Sequence, residues 1–82
     1  MSSNPDTERL VHYLISSLVE HPEAVQIEAR TAAEATTFMV TVHPDDTGKV
    51  IGRQGRVIKA IRVLVRAAAS AHDTDATVEI VG

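Results

Sequence analysis

At 82 residues the chain has room for one small domain, and a domain of this size buries only roughly 60% of the surface its unfolded chain exposes. It contains no cysteine, which excludes a disulfide framework, a thiolate metal centre and a thiol nucleophile; the core must be aliphatic, and Tyr13 and Phe38 are the two aromatic residues of the chain. The formal charge of −3 argues against a polyanionic partner only until the charges are placed: from Thr47 to His72 there are six cations and no acid, so one face is expected to be positive and the remainder negative.

"NPDTERLVHYLISSLVE" reads as a helix, with residues 1–4 as a flexible N-terminus and no apolar run of signal or membrane-span length. A cytoplasmic protein without a membrane partner is the expectation. Asn4 suits the N-cap, Pro5 the first helical position, and Asp6 and Glu8 the positive end of the helix dipole. Leu10, Leu14 and Leu18 recur every four residues, flanked by Val11, Ile15 and Val19, and predict the buried stripe. His21-Pro22 ends the helix, because a residue before proline is pushed out of the α region. "AVQIEAR" alternates Val25, Ile27 and Ala29 with polar residues, the period of a strand with one wet face. Beyond a "TAAEA" linker, "TTFMVTVH" sets Phe38, Val40 and Val42 on one side, so the two strands are expected to pair as a hairpin.

Pro44, Asp45 and Asp46 open a helix of about two turns that must stop at Gly52, and both carboxylates are expected to favour its positive end. A longer helix from about Gly55 to Ala71 carries Ile58, Ile61, Leu64, Val65 and Ala68 inward, and "TDATVEIVG" closes the chain as a strand. Three strands covered by three helices on one face make an α+β two-layer sandwich.

Three of the chain's four glycines fall within "GKVIGRQGR". Gly52 can end the short helix in a left-handed conformation, and Gly55 opens the next helix three residues later. A turn bare at both ends admits a foreign backbone, and the unpaired N–H groups at the start of the next helix favour an anion such as phosphate. Lys59, Arg62 and Arg66 lie within about 60° of one another on that helix, with Arg56 at the edge of the stripe and Lys49 and Arg53 extending it across the turn.

The stretch "VIGRQGRVIKAIR" resembles the hallmark of the KH domain: a hydrophobic pair, a Gly-x-x-Gly loop and a helix opening on further aliphatics. Helix-strand-strand ahead of the loop resembles type II, and a free-standing domain spanning 1–82 is similar to the KhpA family of small bacterial RNA-binding proteins. The resemblance implies that Gly52, Arg53, Gln54 and Gly55 clamp the backbone of about four nucleotides of single-stranded RNA. It makes Val50, Ile51, Val57 and Ile58 candidates for an aliphatic floor under the bases or for the core, and Lys49, Arg56 and Lys59 sources of phosphate attraction. It also implies a homodimer, a complex with the larger KH protein KhpB (also called Jag or EloR), a role as RNA chaperone or post-transcriptional regulator, and a link to control of cell elongation, division and shape. Without an aromatic residue in the loop or its flanks, bases cannot be read on aromatic platforms, and sequence preference is expected to be low.

The remaining sequence offers no enzyme signature, and no cofactor is implied. "TGKV" lacks the Ser or Thr of a phosphate-binding P-loop, and Ser16, Ser17 and Ser70 have no recognisable base. His12, His21, His43 and His72 are scattered, with no pair at three- to five-residue spacing, so no metal site is expected. The acidic remainder of the chain keeps one rival open, a protein-interaction module whose loop serves a dimer contact.

Overall fold

The computed structural model describes residues 5–33 and 35–81. The stretch expected to be flexible, 1–4, and the expected cap Asn4 lie outside the described residues. The chain runs α1 (Pro5–Leu18), β1 (Gln26–Ala32), β2 (Ala35–Thr41), α2 (Thr47–Ile51), α3 (Arg56–Ser70) and β3 (Asp75–Val81), the element order read from the sequence. Short 3-10 turns precede β1 (Pro22–Ala24), α2 (Pro44–Asp46) and α3 (Arg53–Gly55).

The sheet order is β1-β2-β3. β1 and β2 form the expected antiparallel hairpin, and β3 lies parallel to β2 after the crossover through α2 and α3. The hairpin is tighter than a five-residue linker would make it. Ala32 pairs with Ala35, and Ala33 adopts φ 56° in the connection. β2 is central, and its Thr36, Phe38 and Val40 are buried in alternation, as are Ala76 and Val78 of β3. One face of the sheet therefore meets the helices and the other is left to solvent, as a period of two demands.

The core joins Val11 and Ile15 of α1, Val50 of α2, and Ile58, Ile61, Val65 and Ala69 of α3 to Phe38, Val40, Ala76 and Val78 of the sheet. Each fully buried aliphatic or aromatic side chain contributes roughly 1.5–3 kcal/mol. Two helix faces differ in phase from the sequence expectation. In α1 the buried line is Thr7, Val11 and Ile15, while Leu14 only flanks it and Leu18 is exposed. Both lines share the four-residue spacing and the same drift of about 40° per step, so only packing in the folded core decides which of them is buried. In α3 the line is Ile58, Ile61, Val65 and Ala69, and Leu64, expected inside, is half exposed. Ala29 of β1 is also exposed, since an edge strand is covered along only part of its length.

Asp46 fixes the connection between α1 and β1 against the connection between β2 and α2. Its side chain is fully buried, and the amides of Glu20 and His21 donate to its Oδ1 (3.1 Å) and Oδ2 (3.0 Å). This corrects the expected capping role: Asp46 stands at the N-cap position of α2 but makes no cap bond there.

Candidate nucleic-acid interface

The loop between α2 and α3 is built by two glycines that do different work. Gly52 closes α2 by donating its amide to Gly48 O at 2.9 Å and then turns with φ 78° and ψ 171°, a conformation open to almost no other residue. A Cβ added to it would point inward, 2.8 Å from both N and Cβ of Val57. Its bareness serves close packing of the loop on α3, a role the sequence reading did not give it. Gly55 has φ 71° and ψ 18°, and an added Cβ would meet nothing nearer than Ile58 Cγ2 at 3.9 Å. A side chain here would make only ordinary van der Waals contact, so packing does not require Gly55 to be bare.

The unpaired amides are also not those expected from the start of the next helix. Gly55 donates to Gly52 O at 3.1 Å and Arg56 donates to Arg53 O. The amides of Arg53 and Gln54, between the glycines, have no acceptor among the described residues. Gln54 sits at φ 57° and ψ 26°, the left-handed region, so consecutive N–H groups are presented in the kind of concave backbone that binds anions.

Three of the six cations in the acid-free window are already engaged. Lys49 Nζ lies 3.0 Å from Glu20 Oε1 and 3.5 Å from Asp46 Oδ1. The hydrogen bond with Glu20 is the main reason its pKa is raised above the ordinary lysine value, against partial desolvation. Burial would raise the Asp46 carboxyl, but the Glu20 and His21 amides and Lys49 outweigh it, so its pKa falls below the usual aspartate value. Arg62 donates from Nε to Val78 O at 2.9 Å and approaches Glu79 at 3.9 Å. Arg66 lies 3.8 Å from Asp75.

Arg53, Arg56 and Lys59 are exposed and have no acidic partner among the described residues. Arg56 only touches Gln54 Oε1 at 3.5 Å. The positive pole is therefore narrower than the sequence stripe: it is the loop and the first turn of α3, where the two unpaired amides also lie. Of the four aliphatic candidates, Val50 is fully buried and Ile58 nearly so; both belong to the core, whereas Ile51 and Val57 are half buried beside the loop. The polar contacts can hold an anion electrostatically, and the partly open aliphatics can cover an apolar ring edge; none of them assembles a nucleophile with a base.

Sequence spacing missed a second cluster. His21 and His43, twenty-two residues apart, stack with ring centroids 4.1 Å apart and an interplanar angle of 26°. With Asp45 they form a group able to hold a metal ion. The signal was a repeated tripeptide, His-Pro-acid, at His21-Pro22-Glu23 and His43-Pro44-Asp45.

Residues 8–80 match the family described as "KhpA/KhpB, KH domain". A protein of Clostridium perfringens called RNA-binding protein KhpA is 42% identical over 74 residues, covering 90% of this chain and 99% of that relative. Its namesake in Listeria monocytogenes is 40% identical over the same length and covers 97% of the relative, and that of Streptomyces coelicolor is 42% identical over 60 residues. Among solved structures, a crystal structure of Aquifex aeolicus Era superposes with a TM-score of 0.68 at 14% identity, over 90% of this chain and 29% of that one; this likeness is one of fold.

Proposed function

This chain belongs to the KhpA/KhpB family of KH domains, which is not a family of enzymes, and from that premise we propose that it binds single-stranded RNA through the loop Gly52 to Gly55. The observation that carries the reading is the coincidence of the Arg53 and Gln54 amides, which have no acceptor among the described residues, with Arg53, Arg56 and Lys59 of the acid-free window, which have no acidic partner there. A phosphate seats on the two amides, Arg53, Arg56 and Lys59 draw in the strand, and about four nucleotides run past the half-buried Ile51 and Val57. Gly55 gives the backbone its approach. Contact is made with the sugar-phosphate chain and with apolar base edges, so discrimination between bases is weak and the protein acts as an RNA chaperone or post-transcriptional regulator in the cytoplasm.

One loop gives weak affinity, and two held together bind far more tightly without any new contact. A homodimer and a complex with KhpB, in the control of cell elongation and division, complete the reading. Val63 and Leu64, adjacent on α3 and 68% and 50% exposed, supply apolar surface for such an assembly. The same pair favours the rival reading, in which the domain serves protein contacts and binds little RNA.

Titration of a short unstructured RNA at several salt concentrations tests the proposal. Three phosphate contacts predict a slope of log K against log salt near about −2, at roughly −0.7 per contact for single strands. An Arg53→Asp, Gln54→Asp variant that stays folded loses binding. If it binds as wild type does, the loop has no part in RNA recognition and the rival reading stands; sedimentation of the same pair then registers the altered assembly.

A further inference from the structure

We propose that His21, His43 and Asp45, backed by Glu23, form a binding site for a borderline divalent cation of the zinc class, apart from the RNA-binding loop. Each imidazole stands at the residue before a proline that opens a 3-10 turn, where extended backbone is favoured. The two turns are pinned together by the bonds from the Glu20 and His21 amides to buried Asp46, so the histidines meet on a rigid base.

The donor atoms converge. One atom each from His21, His43 and Asp45 lie within 4.8 Å of one another. Nε2 of His21 is 4.0 Å and Nδ1 of His43 is 3.6 Å from Asp45 Oδ2. Tetrahedral coordination at about 2.0–2.2 Å separates ligand atoms by roughly 3.4 Å, which side-chain shifts of about 1 Å supply. Nδ1 of His21 lies 3.6 Å from Glu23 Oε2, so a small side-chain shift on loading brings the carboxylate into the position that orients the ring and leaves Nε2 to the metal.

Two imidazoles and a carboxylate select zinc-class ions over magnesium or calcium, which want oxygen alone. Half-buried rings and an exposed carboxylate leave the fourth position to water. Loading costs the hydrogen bond that the Asp45 amide donates to His43 Nδ1 at 3.0 Å, so the affinity is moderate.

The test is thermal denaturation of the untagged full chain with zinc chloride, with magnesium chloride and with EDTA. Zinc at a hundredfold excess over its Kd raises Tm by at least about 5 °C, and magnesium does not. His21→Gln and His43→Gln each abolish the zinc-dependent rise, measured against the variant's own metal-free Tm, whereas His12→Gln and His72→Gln retain it. Should either variant fail to fold, Asp45→Asn, at an exposed side chain of equal size, lowers zinc affinity at least about tenfold. No zinc-dependent rise in wild type, or a rise that survives loss of His21 and His43, overturns the proposal.

Discussion

Replacing Gly52 by alanine and, separately, Gly55 by alanine separates the glycine that holds the loop from the one that opens it. At Gly52 an alanine would occupy φ 78°, ψ 171°, a region that costs a residue with a Cβ about 1–3 kcal/mol. Its methyl would also stand 2.8 Å from N of Val57, which belongs to the backbone of α3 and cannot yield as a flexible side chain could. Overpacking of that kind adds about 1–3 kcal/mol, so Gly52→Ala loses about 4 kcal/mol. A domain of this length has roughly 4–12 kcal/mol in all, and the variant is expected to be partly unfolded near 37 °C. At Gly55 the conformation is ordinary left-handed helix, costing about 1–2 kcal/mol, and the nearest atoms lie at van der Waals distance. Urea denaturation followed by circular dichroism measures both losses, and at about 4–8 °C per kcal/mol the 1–2 kcal/mol lost by Gly55→Ala lowers Tm by roughly 4–16 °C. Gly55→Ala should then fold but bind RNA more weakly, because its methyl stands where the proposed RNA strand approaches. Equal stability losses at the two positions, or a loss below about 1 kcal/mol at Gly52, would refute the division of labour.

The engaged and unengaged cations should behave differently. Lys59→Gln weakens RNA binding and makes the salt slope shallower by about 0.7, whereas Lys49→Gln, at a side chain held by Glu20 and Asp46, leaves the slope unchanged; filter binding at several salt concentrations reads both. Arg62→Met loses the bond to Val78 O and costs about 1 kcal/mol in urea denaturation, while Glu79→Gln, which removes only an exposed ion pair, costs less than about 0.5 kcal/mol. Asp46 has a folded-state pKa below the usual 3.8, so its contribution is complete above that pH and is lost as pH falls towards the folded value. Asp46→Asn, which cannot accept from both amides, is therefore less stable than wild type at neutral pH, and the gap should narrow below pH 3.8. A gap that stays constant from pH 7 to pH 2.5 would deny the carboxylate its role.

What could be read from sequence was whatever depends on near neighbours. Pro5, His21-Pro22 and Gly52 marked helix ends, alternation in "TTFMVTVH" marked the central strand, and Gly52 and Gly55 marked the loop, because each acts through its own backbone or the next few residues. The phase of α1 was read one residue off, since Leu10, Leu14 and Leu18 form as regular a line as Thr7, Val11 and Ile15 until a sheet selects between them. The site's charge was harder still. Lys49, Arg62 and Arg66 looked equal to Arg53 and Lys59, but Lys49 meets Glu20 across the molecule and the other two meet β3, pairings that exist only after folding. Asp46 reads as a helix cap because its partners, the Glu20 and His21 amides, are more than twenty residues away. The inward role of Gly52 was hidden for the same reason, in the approach of Val57 rather than in any pattern of letters.

Backbone amide resonances, followed while a short unstructured oligoribonucleotide is added, test the central claim most directly. The amides of Arg53 and Gln54 should exchange rapidly with solvent in the free protein and show the largest shifts on saturation, with Gly55 and Arg56 next. Slow exchange of those two amides in the free protein, or shifts that leave them still and cluster on the open face of the sheet around Thr37, Met39 and Thr77, would contradict it.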